Sequence, residues 1–474
     1  MSAQQRRPAR TGPSGRARGQ RPRPAVIPAP GDGSPSKREA DAPLATAPAT
    51  APEHQPGPIG RALRRAARRI GGPDGPRDSD ASLLSFYALL LATVLLLTLG
   101  LMTVFSVQQV VSAARGRDAV VDFSKYLIFA GVGLLGMWGM SLLSERALRY
   151  LAIPVLAGAT ALQSLVFTPL GTCTGGNCNW VEVPGIGTAQ PSEFIKVGLS
   201  LYAGLIIVRW FAEGRWQRLH WLVKTAAGLL PLAAIALVMG GGDLGTVIIL
   251  GILLAGAGWM AGLAKRWFVT LGIGGAALFI FFSIISLNRR TRILVWLHAD
   301  RDDPLDIGYQ PKHARWALAT GGWQGVGPGS SRQKWGYLTQ AESDYAYAVL
   351  GEELGLAGAL LVIILFAVLG WALARIIRRS NSLYASVVVG GIMVWIIGQA
   401  IINMAVVTNL LPVLGVPLPL ISQGGSALIS VLLAIGIALS FARREPGAQQ
   451  ALRSRPGAVR RTLAVISTRR RNRA

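Results

Sequence analysis

Between residues 84 and 442 the sequence returns repeatedly to continuous apolar runs. A helix of about 20 residues rises about 30 Å, the depth of a bilayer's hydrocarbon core. Ten runs approach that scale: 84–106, 126–143, 147–168, 190–211, 221–239, 243–263, 267–288, 345–376, 385–410 and 418–442. Their apolar residues do not alternate, which favours membrane helices and excludes a membrane β-barrel. Composition agrees, since 51% of the 474 residues are apolar and 15% are charged, against about 25% charged in a soluble domain. The expected fold class is an all-α polytopic membrane protein of ten transmembrane helices. One large extracytoplasmic loop, about 289–344, separates helices seven and eight. Residues 81–443 form the expected membrane domain, between basic tails at 1–80 and 444–474. The first tail is rich in Pro, Arg, Ala and Gly, so disorder is expected there. Within it, residues 60–70 (GRALRRAARRI) suit either a basic amphipathic helix on the membrane surface or a solvated charged segment.

Much of the formal charge of +25 sits in those tails. Arg and Lys also mark the short connections after spans two, four, six and eight, for example Arg146, Arg215, Lys265 and Arg378. The connections after spans three, five and nine carry none. The positive-inside rule then places both termini in the cytoplasm, in a multi-pass protein of the cytoplasmic membrane. The basic tails are assigned to anionic lipid rather than to nucleic acid. The four histidines show no metal-ligand spacing. Cys173 and Cys178 share one loop and are either a small disulfide ring or two free thiols.

Under this topology spans four, six, eight and ten enter from the outer face, each through a polar or glycine-rich sequence. Helix N-termini there offer unpaired N–H groups that suit a phosphate. Gln190, Pro191 and Ser192 open span four, with proline in the first turn. Glu193 and Lys196 share a helix face. They either neutralise each other or leave Lys196 to reach a phosphate of a lipid-linked substrate. Asp243 starts span six, as an N-cap or as a functional carboxylate. Gly424, Gly425 and Ser426 allow either close helix packing or approach to a ligand. Glu352 and Glu353 fall about 12 Å along span eight, where an unpaired carboxylate is costly, so a pairing with Lys196 is expected. Asp344 stands where the long loop enters the membrane. It either caps the helix or acts as a general base, with Arg332 and Lys334 upstream to offset charge on a leaving diphosphate. No P-loop occurs, and GVGPG at 325–329 follows no strand, so no nucleotide site is implied.

Four motifs together resemble one known family. QPSEFIK (Gln190–Lys196), GGDLGT (Gly241–Thr246), the stretch from GVGPG to GEELG (Gly325–Gly355) and LPLISQGGSALI (Leu418–Ile429) are similar to the motifs of the SEDS cell-wall polymerases, FtsW and RodA. The resemblance covers nearly all of 82–443. It implies a glycosyltransferase that polymerises lipid II at the outer face of the cytoplasmic membrane, inverting the sugar and releasing undecaprenyl diphosphate. The family's catalytic aspartate falls at Asp344, its functional lysine at Lys196, and the acid after the glycine motif at the Glu352–Glu353 pair. Glu193, Asp243, Arg332, Lys334, Glu353 and Ser426 complete the substrate-binding candidates. No cofactor is implied, although Mg or Mn is compatible with the chemistry. The expected partners are a class B penicillin-binding protein, which supplies transpeptidation, and other divisome proteins. The long basic N-terminal tail is more like the division member, FtsW, than RodA. Two other functions fit intramembrane charges: a lipid II flippase and a scaffold without chemistry. The family's arginine beside Trp180 is missing, Gln423 replaces a tyrosine and Gly242 a proline.

Overall fold

The computed structural model describes residues 83–174, 177–183, 187–211, 220–285, 287–297 and 308–449. The expectations for residues 1–80, including the 60–70 helix, lie outside the described residues, as does most of the second tail.

The first three helices are α1 (Leu84–Ala114), α2 (Ala119–Leu142) and α3 (Glu145–Ser164). Helix α1 runs beyond the expected end at 106, because its polar last turns find partners. Gln108 donates to Ser112 Oγ at 2.9 Å, and Ser112 donates to Asp122 of α2 at 3.0 Å. Asp118 and Ser144 cap α2 and α3 by accepting from Val120 N and Ala147 N.

The all-α expectation needs one correction. Strands β1 (Gly171–Thr174), β2 (Asn177–Val183) and β3 (Gly187–Ala189) form an antiparallel sheet in the order β1-β2-β3. Thr172 pairs with Trp180, and Val181 with Ala189. A stretch of Thr, Val and Trp broken by Gly and Pro is too short for a helix and suits a hairpin. Cys173 and Cys178 form a disulfide across it, which settles the alternative left open above.

Four helices follow: α4 (Ser192–Phe211), α5 (Trp221–Gly240), α6 (Leu244–Met260) and α7 (Lys265–Ile285). The stretch expected as a long loop holds two more helices, α8 (Leu287–Leu297) and α9 (Tyr309–Gly321). The last three are α10 (Ala346–Arg379), α11 (Leu383–Val407) and α12 (Gly425–Ala442). Among the described residues, seven helices are long and apolar enough to cross a membrane: α1, α2, α3 with its 3-10 extension, α7, α10, α11 and α12. Small residues let these helices approach closely. Gly133 of α2 faces Leu432 of α12, Gly436 of α12 faces Met137, and Gly256 of α6 faces Val394 of α11. Helices α11 and α12 form the buried centre, whereas α7 exposes nearly all its residues.

Helix α10 is not the continuous rod its apolar run suggests. Gly355 has φ +67° and ψ −166° and breaks it after Leu354. Backbone groups around the break are satisfied by the preceding loop. Leu356 N–H donates to Gly322 O at 2.9 Å, and Val326 and Gly327 N–H donate to Glu352 O and Glu353 O at 3.0 and 3.1 Å. A broken helix at membrane depth is tolerated when protein supplies such partners.

The two ends of the bundle differ. At one end Arg375 of α10 meets Ser85 Oγ at 2.6 Å and Glu445 at 3.2 Å, and Arg379 meets Glu445 at 3.0 Å. Ser382 donates to Glu145 Oε1 at 2.9 Å at the same end. The start of α10 lies at the other end, with the candidate site.

Candidate active site

The candidate residues fall into two groups. The first gathers where α4, α6 and α12 begin. Asp243 caps α6, accepting from Thr246 N at 2.8 Å and Thr246 Oγ1 at 2.6 Å, and it also accepts from Gln190 Nε2 at 3.0 Å. Gln190 N–H donates to Ser426 Oγ at 3.1 Å, which joins α4 to α12. Pro191 sits in the first turn, where its carbonyl accepts from Phe194 and Ile195. Ser192 is fully buried with its hydroxyl unpartnered. Gly424 precedes α12 in an extended conformation, and a Cβ at Gly425 would strike the Phe129 ring at 2.6 Å. These contacts favour packing for the glycine pair.

One turn into α4, Lys196 forms an ion pair with Glu193 at 2.7 Å. Its ammonium also donates to Gln399 Oε1 at 3.2 Å and lies 5.1 Å from the Trp395 ring centroid. Ser430 donates to the other Glu193 oxygen at 3.2 Å. Every charge here is buried and paired, as a charge inside a membrane protein must be. Of the two readings open for Lys196, the structure displays the ion pair.

The second group lies beneath the loop before α10. Ser331 Oγ and Arg332 N–H donate to the Glu352 carboxylate at 2.5 and 3.0 Å. Lys334 is 4% exposed and bonds Glu353 Oε1 at 3.1 Å, Ser106 Oγ at 2.6 Å and Gly329 O at 2.6 Å. The expected pairing of Glu353 with Lys196 is therefore corrected. The break at Gly355 sets Glu353 in a short first segment under its own loop, within reach of Lys334 and not of α4. The Arg332 side chain is exposed on that loop.

Asp344 stands two residues before α10. It does not cap that helix, which has no side-chain cap. Its carboxylate accepts no hydrogen bond from the described residues and is partly accessible. Its position is nevertheless fixed. Asn403 of α11 donates from one amide nitrogen to both Asp344 O and Val416 O, each at 2.8 Å. One turn earlier, Gln399 donates to Pro417 O at 2.8 Å. Asp344 Oδ2 lies 3.8 Å from the point where a Gly415 Cβ would be. Burial pushes the Asp344 carboxyl up to about 6; Arg292 works against that rise and Asp243 adds to it. A carboxylate that is unpaired, held by its backbone and poised near neutrality is equipped to accept a proton.

Gln399, Asn403, Ser106 and Arg292 were not among the sequence candidates. The two amides had a legible signal, since Gln399 and Asn403 are four apart in an apolar helix and so share a face. Among the described residues no group of three or more acidic, His or Cys side chains could hold a metal ion.

The chain is similar to known proteins over most of its length. The FtsW/RodA/SpoVE family of cell cycle proteins matches residues 87–446. The "probable peptidoglycan glycosyltransferase FtsW" of Mycobacterium tuberculosis is 35% identical over 388 residues, covering 80% of this chain and 72% of that protein. Stage V sporulation protein E of Bacillus subtilis is 33% identical over 362 residues, covering 75% of this chain and 96% of that protein. A solved peptidoglycan synthase complex that coordinates polymerization and crosslinking contains a chain similar at TM-score 0.59 and 25% identity, covering 76% of this chain and 97% of that one. Rod shape determining protein RodA of Thermus thermophilus shares the fold at TM-score 0.54 and 22% identity, covering 76% and 97%. Motifs, fold and relatives converge: this chain belongs to the FtsW/RodA/SpoVE family of cell cycle proteins.

Proposed function

We infer that this membrane protein is a peptidoglycan glycosyltransferase of the FtsW kind, with Asp344 as its general base. The observation that carries the assignment is the Asp344 carboxylate itself, unpaired, backbone-anchored and lifted to about 6 at the entry to α10. The substrate is lipid II. The acceptor's GlcNAc 4-hydroxyl gives its proton to Asp344, and its oxygen forms the new bond to the anomeric carbon of a lipid-linked MurNAc. The bond from that carbon to the diphosphate breaks with its electron pair, so undecaprenyl diphosphate leaves and the sugar inverts.

Ten spans and both termini in the cytoplasm fit the chain's apolar runs and basic connections. The disulfide supports the same orientation. Cys178 N–H donates to Gly241 O at 2.8 Å, which ties the hairpin to the end that carries Asp243. A disulfide persists in an oxidising compartment, and so it favours an outer position for that end.

In this reading Glu193, Lys196, Asp243 and Ser426 hold the walls of the site in register. Lys334 and Glu353 anchor the loop that leads to Asp344, and Arg332, exposed on that loop, remains a diphosphate candidate. No resident cofactor is called on; a Mg or Mn ion carried by the substrate's own diphosphate is compatible. A class B penicillin-binding protein is the proposed partner, within a division complex that includes further proteins. The test is purified protein with that partner and labelled lipid II. Wild type is expected to form glycan polymer and Asp344→Asn to form none while remaining folded. Polymer from Asp344→Asn at the wild-type rate would overturn the base assignment.

A further inference from the structure

Among the described residues, both lysines near the candidate base are committed to ion pairs. Lys196 is neutralised by Glu193, and Lys334 by Glu353. A diphosphate leaving group needs positive charge placed before the reaction begins. The described residues contain another candidate, Arg292 of α8.

Helix α8 is turned toward the Asp344 region. Trp296 Nε1 donates to Asn409 O at 3.0 Å, docking α8 on the segment that follows α11. That segment leads to Gly415, the glycine beside Asp344 Oδ2, and to Val416, which shares the Asn403 amide with Asp344. Arg292 lies four residues before Trp296 and so shares its face of the helix. Its side chain is half-buried and makes no hydrogen bond or ion pair with the described residues. Its charge acts on Asp344 and on the neighbouring Tyr345. Arg292 and Asp344 therefore influence each other without touching, and both lack the partner that a half-buried charge requires. A planar guanidinium with its donors free is well matched to a phosphate oxygen pair.

We propose that Arg292 binds the diphosphate of the lipid-linked donor, on the opposite side of the reacting sugar from Asp344. The proposal rests on the reading of Asp344 as base. It explains why the strong opposite charges stay apart: the substrate's anomeric centre belongs between them. It also gives α8 a task, because docking through Trp296 fixes the arginine relative to the base.

The charged groups acting on Asp344 are Arg292 from α8 and Asp243 from the start of α6. Removing Arg292 deletes the one cation among them, so the Asp344 carboxyl should hold its proton to higher pH. The experiment uses the full chain with its transpeptidase partner, labelled lipid II, and farnesyl diphosphate as a competing probe. Arg292→Gln is expected to lower kcat/KM roughly 10- to 100-fold and to weaken farnesyl diphosphate competition by a similar factor. The acidic limb of its pH profile should move to higher pH. Arg292→Lys keeps the charge without the fork, so its limb should stay in place while its competition weakens. Should the glutamine variant fail to fold, the lysine variant alone carries the competition test. Unchanged competition and an unmoved limb, whatever the rate, would overturn the proposal. The base assignment fails separately. Displacement of fluorescent lipid II by farnesyl diphosphate reads Arg292 even if Asp344→Asn remains active.

Discussion

Asp344 is shaped by an environment that discourages its charge. A free aspartate titrates near 3.8, whereas burial lifts this one to about 6. The fold therefore favours the protonated form. That contribution to stability is complete below about pH 4 and is lost as pH rises through 6. Two consequences follow with opposite signs. Polymerisation should fall as pH drops through about 6, because the base becomes protonated, with a limb two units above that of an ordinary aspartate. Asp344→Asn should abolish polymerisation yet raise thermal stability at pH 7 by on the order of 1 to 2 kcal/mol, with no gain at pH 4. A melt at both pH values checks this, and equal gains at both would contradict it. Lys334 makes the contrasting case. It and Glu353 are each almost wholly buried and bonded 3.1 Å apart. Lys334→Ala would leave the buried Glu353 carboxylate with the Ser106 hydroxyl but no cation, at a cost of about 3–5 kcal/mol. Adding Glu353→Gln should recover part of that loss in a thermal melt, which a purely substrate-binding lysine would not do. At this scale the sequence was legible where partners are local. Glu193 and Lys196 are three residues apart and pair as expected, and Asp243 caps the helix it precedes. The Lys334–Glu353 pair was not legible, because the partners lie 19 residues apart and meet only through a change of backbone direction.

That change of direction belongs to an element, the broken helix α10. A glycine inside an apolar run is common in membrane helices, so Gly355 carried no warning of a break. The cause is contact with a second element. The loop with Gly325, Gly327 and Gly329, all at positive φ, bends its carbonyls and N–H groups onto the backbone on either side of Gly355. The glycine-rich sequence and the helix break are two halves of one joint, and the pairing emerges only when both are folded. The short hairpin was missed for a similar reason, since three short strands bridged by a disulfide leave little periodic signal. Helices α8 and α9 are short and broken by polar residues such as Arg292 and Lys312, so no continuous apolar run marks them in the sequence. The joint can be tested directly. Gly355→Ala would force a left-handed conformation on an L-residue, and its Cβ would stand 2.7 Å from the Trp323 carbonyl carbon. The combined cost is expected to be about 3 kcal/mol or more, seen as a lowered melting temperature. A variant as stable as wild type would show that the helix can straighten without harm.

Across the whole molecule, polar chemistry is divided between two ends with apolar packing between them. One end holds Gln190, Asp243, Asp344 and Ser426; the other is closed by Arg375, Arg379 and Glu445 with Ser85. Lys196 and Glu193, one turn inside, are locked to each other and to Gln399. Beyond them the centre is lined by residues such as Leu201, Val388, Ile392 and Ile435, all fully buried. A path for moving a lipid headgroup across the bilayer would need polar groups through the full depth, because the sugars and diphosphate cannot shed their water against apolar walls. A polymerase needs them only at the face where both substrates arrive. The two functions therefore separate in proteoliposomes containing fluorescent lipid II in both leaflets. If the ends work as argued, the protein consumes lipid II only from the leaflet facing Asp344. The inner pool stays protected from a membrane-impermeant quencher, in wild type and in Asp344→Asn alike. Loss of that protection in the aspartate variant, with no polymer formed, would mean that a route through the bundle exists and that transport rather than polymerisation is the activity of this fold.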